Sequence, residues 1–153
     1  MAESIKLMIN LRDITETNLI SIIDLDVGEN QKDQVAPNSV SIAEGNYSKS
    51  AWFKGIFNGD VPIGFVMLDL NMKENKCYLW RFMIDKKYQG KGYGKVALTQ
   101  VIDWVKSLKI FEEIKTSYVP QKNGADGFYK NLGFIETEKL EDSNEIGMKY
   151  SLL

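Results

Sequence analysis

Tyr88-Gln89-Gly90-Lys91-Gly92-Tyr93-Gly94-Lys95 is the stretch that decides the reading of this chain. An apolar strand pattern, residues 77–85, runs into it, and an apolar helix pattern, residues 96–108, runs out of it. Glycines let backbone N–H groups converge where a Cβ would clash. The free N–H groups and dipole of a helix start favour an anion. A glycine-rich turn between a strand and a helix is therefore a place to hold phosphate.

Three phosphate-loop signatures can be tested directly. A P-loop requires Gly, four residues, then Gly-Lys-Ser/Thr. Here Gly94-Lys95 is followed by Val96, and the first position falls on Gln89. A dinucleotide fingerprint, Gly-x-Gly-x-x-Gly, places its third glycine on Lys95 when started at Gly90, and the kinase loop fails at the same place. What remains is Gln-x-x-Gly-x-Gly, on Gln89, Gly92 and Gly94.

Working outward, the apolar periodicities give a mixed α/β order around one sheet. Residues 5–11 read as a first strand. Thr15 could cap a helix carrying Leu19, Ile22 and Ile23, with Asn18 where a capping box prefers Glu or Gln. Pro37-Asn38-Ser39 opens a second short helix ending near Gly45-Asn46. Residues 51–57, 61–70 and 76–84 form three antiparallel strands, the first two joined at Asn58-Gly59-Asp60. After the helix at 92–108 come a strand at 113–119, a helix at 125–132 stopped by Gly133, and strands at 134–138 and 146–152. No linker or repeat interrupts this order, so a single domain over 1–153 is expected.

Composition removes several chemistries. The 153 residues include no histidine and one cysteine, with a formal charge of -2. Ser-His-Asp and Cys-His catalysis, His-ligated metals, Cys-cluster zinc and an intrachain disulfide are thereby excluded. No metal is expected. Cys77 sits in an apolar strand pattern and reads as a small core residue. The charge argues against nucleic acid as a partner. No apolar run is long enough for a bilayer, and residues 1–4 lack signal-peptide character, so a cytoplasmic, non-membrane protein is expected.

The run from Phe82 to Gly94 resembles the acetyl-coenzyme A site of the GNAT N-acetyltransferase superfamily. Downstream, Asn123-Gly124-Ala125-Asp126-Gly127-Phe128-Tyr129-Lys130-Asn131-Leu132-Gly133-Phe134 is similar to its second signature: Asn, then Phe-Tyr, then Leu-Gly-Phe. The resemblance implies the GNAT fold, a mostly antiparallel mixed sheet flanked by helices and splayed between the fourth and fifth strands. It implies acetyl-CoA as co-substrate, with the pyrophosphate on the amides of Gln89, Gly90, Lys91, Gly92, Tyr93 and Gly94. Lys86, Lys87, Lys91 and Lys95 add positive charge, with Lys91 the best placed of them. The pantetheine arm would pair with Phe82, Met83 and Ile84, and Asn123 would contact the cofactor. Tyr129 takes the place of the tyrosine that protonates the leaving thiolate, although its ring could equally serve packing.

The resemblance further implies an acetyl-CoA-dependent N-acetyltransferase acting on a primary amine by direct attack in a ternary complex. Leu79-Trp80-Arg81-Phe82-Met83-Ile84-Asp85, with the loop after it, looks like the bacterial spermine/spermidine branch. That branch implies a small amine substrate such as spermidine and a homodimer. Trp80 stands where polyamine acetyltransferases often carry an acid. Glu29 and Trp80 are the candidate acceptor-side residues, and Asp69 and Glu44 are further acids by composition. A backbone N–H near Met83 would stabilise the oxyanion. Transfer to a peptide N-terminus, a protein lysine or another small amine is the alternative acceptor reading. A non-catalytic acyl-CoA-binding module is the alternative of another class.

Overall fold

The computed structural model describes residues 8–28, 36–121, 124–141 and 143–153. Seven strands form one sheet: β1 Ile9–Arg12, β2 Ala51–Asn58, β3 Val61–Asn71, β4 Lys76–Ile84, β5 Glu113–Tyr118, β6 Ile135–Lys139 and β7 Ile146–Ser151. Their spatial order is β1-β2-β3-β4-β5-β7-β6. Every neighbouring pair is antiparallel except β4 and β5, which run parallel. The helices are α1 Leu19–Ile23, α2 Asn38–Tyr47, α3 Tyr93–Leu108 and α4 Asp126–Leu132. Among the described residues, no helix is long and apolar enough to cross a membrane.

Only half of the capping box forms before α1: the N-cap is Asn18, the Thr15 hydroxyl meets that of Thr17 at 3.0 Å rather than capping, and the reach-back alone is made. Asn18 Oδ1 accepts the Thr15 N–H at 2.8 Å, which is the reach-back that Glu or Gln would make. The β2–β3 hairpin closes at Gly59, whose φ of +61° is the left-handed value its two-residue loop needs. At the end of α4, Gly133 takes φ +114°. The Phe134 N–H reaches the Tyr129 carbonyl and the Gly133 N–H the Lys130 carbonyl, each at 3.0 Å. This is a Schellman stop. The Tyr129 and Phe134 rings, 5.4 Å apart, supply the apolar contact that accompanies it.

Two cores lie on the two faces of the sheet. On one, Ala97, Leu98, Val101, Ile102 and Val105 of α3 form a helical stripe against Ile56, Val66, Leu68, Cys77 and Leu79. On the other, Ile22 of α1 and Ile42 of α2 pack on Phe57, Phe65, Met67 and Met83. Trp52 stacks on Trp104 at 4.5 Å and Phe53 meets Phe65 at 6.1 Å, so both serve packing.

Along β4 the alternation changes phase. Cys77 and Leu79 face the α3 side, but so do Phe82 and Ile84, while Trp80 and Met83 pack with the α1–α2 core. The cause is a β-bulge: Met67 pairs with Arg81 and Leu68 with Leu79, leaving Trp80 as the extra residue. The bulge turns the end of β4 just where β5 leaves it.

Candidate active site

The loop after β4 is held from beneath. Asp85, 5% exposed, caps the 3₁₀ turn Lys86–Tyr88. Its Oδ1 accepts the Lys87 N–H and its Oδ2 the Asp26 N–H, both at 2.9 Å. Gln89 Nε2 donates to the Ile84 carbonyl at 2.8 Å and to the Val27 carbonyl at 3.1 Å. The segment after α1 is thus tied to the end of β4 and to the loop.

The three loop glycines have different reasons to be glycine. Gly90 and Gly92 take φ of +75° and +85°, and a Cβ on either would project into open space. Gly94 instead packs: a Cβ there would lie 3.3 Å from Ile84 Cγ1 and 3.4 Å from Phe128 Cε1. The first bond within α3 runs from the Val96 N–H to the Gly92 carbonyl. The amides before it have no carbonyl partner inside the helix. No acidic residue occupies the first turn, and Lys95 does. Open backbone, unpaired amide positions, a sixteen-residue helix dipole and a lysine fit a pyrophosphate.

From this loop a cavity of about 690 Å³ runs along β4 into a gap in the sheet. β4 and β5 pair only at Cys77–Ile114 and Tyr78–Lys115. Beyond them the strands diverge, bridged by Thr116 Oγ1 donating to the Leu79 carbonyl at 3.1 Å. The unpaired edge of β4 therefore faces the cavity. Its polarity follows from two fixed points. The Asp85 N–H bonds the Ile63 carbonyl of β3 at 2.8 Å, and the Ile84 carbonyl turns the other way to Gln89. Successive residues present their amides to opposite edges of a strand. The Met83 amide thus faces β3, where it pairs with Phe65, and those of Phe82 and Ile84 face the gap. The Met83 amide itself is therefore engaged with β3, and the gap-facing amides nearest to it are those of Phe82 and Ile84.

Tyr129 closes the far side, with its ring buried among Phe128, Phe134 and the α3-side core. Burial drives its phenol well above the ordinary tyrosine range, with the nearby Tyr78 adding to the effect and a hydrogen bond with Thr116 opposing it. The hydroxyl stays protonated wherever the protein is folded near neutral pH, as a proton donor must. Phe128 stacks on Phe82 at 5.6 Å and forms the wall between them.

A glycine loop on a helix start, a divergent parallel strand pair and a buried tyrosine across the gap match one pattern. The family model described as Acetyltransferase (GNAT) family matches residues 17–134. This chain belongs to the GNAT family. It is an N-acetyltransferase by class. A probable spermine N(1)-acetyltransferase of Bacillus subtilis subsp. natto is 30% identical over 146 residues, covering 90% of this chain and 94% of the relative. The spermidine N-acetyltransferase of Vibrio cholerae, crystallised with CoA and spermine, shares the fold at a TM-score of 0.79 and 16% identity, covering 95% and 96% of the two chains. The PaiA N-acetyltransferase of Thermoplasma acidophilum, crystallised with coenzyme A, does so at 0.72 and 19%, covering 94% and 98%.

Most of the sequence-predicted residues of this acetyltransferase converge. Trp80, Phe82, Met83, Ile84, Gln89, Gly90, Gly92, Tyr93, Gly94, Lys95 and Tyr129 all line the cavity. Lys91 is exposed and lies outside that lining. Lys86 pairs with Asp26 at 3.7 Å, away from the lining. Asn123 and Glu29 fall outside the described residues. Cys77 is core, with its thiol pushed up to about 12 by burial and then by Asp69.

Of the acids offered as substitutes, neither described one lines the cavity. Asp69 accepts from Ser50 Oγ at the β2–β3 ladder. Glu44 pairs with Arg81 at 3.4 Å. Sequence reasoning did not single out Tyr78, Thr116, Ser117 or Glu145, all of which line it. No local motif marks them, because the sheet topology alone brings them together. Among the described residues, no cluster of three or more His, Cys, Asp or Glu side chains could hold a metal ion.

Proposed function

We propose that this protein transfers the acetyl group of acetyl-CoA to a primary amine of a polyamine such as spermidine or spermine, by direct attack in a ternary complex. One observation carries this reading: a single cavity joins the amides at the start of α3 to the buried hydroxyl of Tyr129 along an unpaired strand edge. The likeness to the spermine and spermidine acetyltransferases above supports the polyamine as acceptor.

Acetyl-CoA, when bound, supplies a thioester carbonyl to the amine nitrogen and a thiolate as leaving group. The loop residues 90–95 hold the pyrophosphate through backbone amides, reinforced by the α3 dipole and Lys95. The gap-facing edge of β4 orients the pantetheine arm as an added strand. The Phe82 N–H is placed to donate to the developing oxyanion, where water-excluded donors act most strongly. Tyr129, kept protonated by burial, donates to sulfur. Fixing both partners converts the encounter into an intramolecular attack.

The test is incubation with acetyl-CoA and an amine panel spanning polyamines, peptide N-termini and lysine side chains, while free thiol is followed. Thiol release with spermidine or spermine, and N-acetylspermidine or N-acetylspermine by mass spectrometry, is the expected result. Turnover confined to peptides would replace the acceptor. Tight cofactor binding with no turnover would replace the enzymatic reading by a binding one.

A further inference from the structure

The face of the gap opposite Tyr129 carries a chain of hydrogen bonds. Tyr78 OH and Ser117 Oγ lie 2.8 Å apart, and Ser117 Oγ donates to Glu145 Oε1 at 3.1 Å. Strand alternation sets this face. Tyr78 points away from the side of Cys77 and Leu79, and Ser117 away from the side of Ile114, Thr116 and Tyr118. Tyr129 and its partner Thr116 occupy the α3 side. The gap between β4 and β5 is thus lined by hydroxyls on both faces.

The direction of the chain can be worked out by counting protons. A serine hydroxyl has one hydrogen, and a carboxylate only accepts. Ser117 gives its hydrogen to Glu145, so Tyr78 must be the donor to Ser117. The phenolic oxygen of Tyr78 is then left with its lone pairs as an acceptor toward the cavity. Glu145 is fixed at the chain's end: its N–H donates to Ser143 Oγ at 3.1 Å, and its carbonyl accepts the Leu140 N–H at 2.9 Å. Among the described residues lining the cavity it is the only carboxylate. The other charged or titratable groups there are Arg81 and Tyr88 from β4 and its turn, Tyr93 and Lys95 from α3, and Tyr118 and Tyr129 from β5 and α4.

We propose that Tyr78, Ser117 and Glu145 form the proton exit of the transfer reaction: Tyr78 accepts from the acceptor ammonium, and Glu145 is the proton sink at the end of the relay. The proposal rests on the acetyl-transfer reading above. The alkylammonium, with an unperturbed pKa of about 10.4, must lose a proton before its nitrogen can attack. That proton passes to the Tyr78 oxygen as Tyr78 passes its own to Ser117 and Ser117 its own to Glu145. Glu145 then releases it to solvent. As the N–C bond forms and the C–S bond breaks, the nitrogen sheds a second proton. Sulfur takes up one proton from Tyr129, which the second proton replaces. The sum is ammonium plus thioester giving amide, thiol and one released proton. Tyr78 is the contacting group, and Ser117 and Glu145 are positioning residues acting through it.

The experiment compares wild type, Tyr78→Phe, Ser117→Ala, Ser117→Thr and Glu145→Gln by kcat/KM for spermidine across pH, with acetyl-CoA affinity and thermal midpoint measured alongside. General-base relays contribute on the order of 10²–10⁴-fold. Glu145→Gln and Ser117→Ala should therefore lose about 10²-fold near neutral pH, and the loss should close toward pH ~10, where solution supplies the free amine. Ser117→Thr should recover most of the rate, and acetyl-CoA affinity should not move. An equal loss at every pH, equal impairment of Ser117→Ala and Ser117→Thr, a change in spermidine KM alone, or unaltered rates would each overturn the relay. Wild type failing to turn over any amine removes the acetyl-transfer reading and the relay with it, whereas active wild type with unresponsive variants removes the relay alone.

Discussion

Gln89 Nε2 donates at once to the Ile84 carbonyl at 2.8 Å and the Val27 carbonyl at 3.1 Å. One side-chain amide braces the glycine loop against both the end of β4 and the segment after α1. An amide nitrogen has two hydrogens, and both are used. Gln89→Ala removes both bonds and leaves two carbonyls unpaired, each worth about 1 kcal/mol. The loop loosens where it would grip the pyrophosphate. We expect the acetyl-CoA Kd to rise roughly tenfold, read by calorimetry, with the amine KM unchanged. Gln89→Glu, the isosteric change, should do no better, because it sets a carboxylate against two carbonyls.

Gly92 separates loop geometry from cofactor contact. At φ +85° with open space around its missing Cβ, it tolerates side-chain bulk but not an L-residue backbone without strain. Gly92→Glu adds negative charge at the helix start that is to hold an anion, and should abolish cofactor binding. Gly59→Ala is the control. It meets a similar backbone demand, φ +61° with no neighbour within 4 Å, at the β2–β3 hairpin. It should cost about 1–2 kcal/mol of stability and leave coenzyme A affinity intact. Retained affinity in Gly92→Glu would overturn the loop assignment.

These two positions show why the fold and the donor side were legible in the sequence. Gln89, Gly92 and Gly94 are neighbours in the chain, and each serves a local need: a brace, a positive φ and a close helix–sheet approach. The Schellman stop at Gly133-Phe134 is equally local, and it fixes Tyr129 through the Phe134 N–H. The strand boundaries from β2 onward followed from alternation and turn glycines to within a residue or so; the first strand, read over 5–11, instead runs Ile9–Arg12, and residues 5–7 of that reading lie outside the described residues. The bulge at Trp80 shows in the chain only as a phase slip in the apolar alternation from Leu79 to Phe82. The acceptor side was not legible. Ser117 lies 39 residues from Tyr78 and 28 from Glu145, and nothing but the parallel β4–β5 start and the insertion of β7 beside β5 brings them together. No short motif records a contact of that kind.

Cys77 offers a check on the β4 core that is independent of ligands. Burial, with Asp69 adding to it, pushes its thiol up to about 12 from its ordinary 9.0. The folded state then holds the proton between those values while the unfolded chain releases it. Stability should therefore fall as pH rises from about 9 to about 12, by at most about 1.4 kcal/mol per pH unit. Native protein should not react with a thiol reagent at pH 8 on the timescale of minutes, and should react once unfolded. Cys77→Ala should flatten that alkaline slope. Rapid labelling of the native protein would contradict the placement of β4.

Tyr129 sits across the gap from Tyr78, with its ring enclosed by Phe128 and Phe134. If it protonates sulfur, Tyr129→Phe removes the donor but keeps the ring packing that the Schellman stop requires. The expected result is a fall in kcat of about 10²-fold, with the acetyl-CoA KM and the thermal midpoint nearly unchanged. The sign of the pH effect is set by burial: the phenol is held above its ordinary range, so Tyr129 loses no proton below about pH 10. Wild-type kcat should therefore show no alkaline limb from this group, and the loss in Tyr129→Phe should be uniform with pH. A donor whose better-leaving thiolate needs no protonation gives a second readout, because Tyr129→Phe should be less impaired with it. Equal impairment with both donors, together with a lowered midpoint, would make Tyr129 a packing residue and return the proton to solvent.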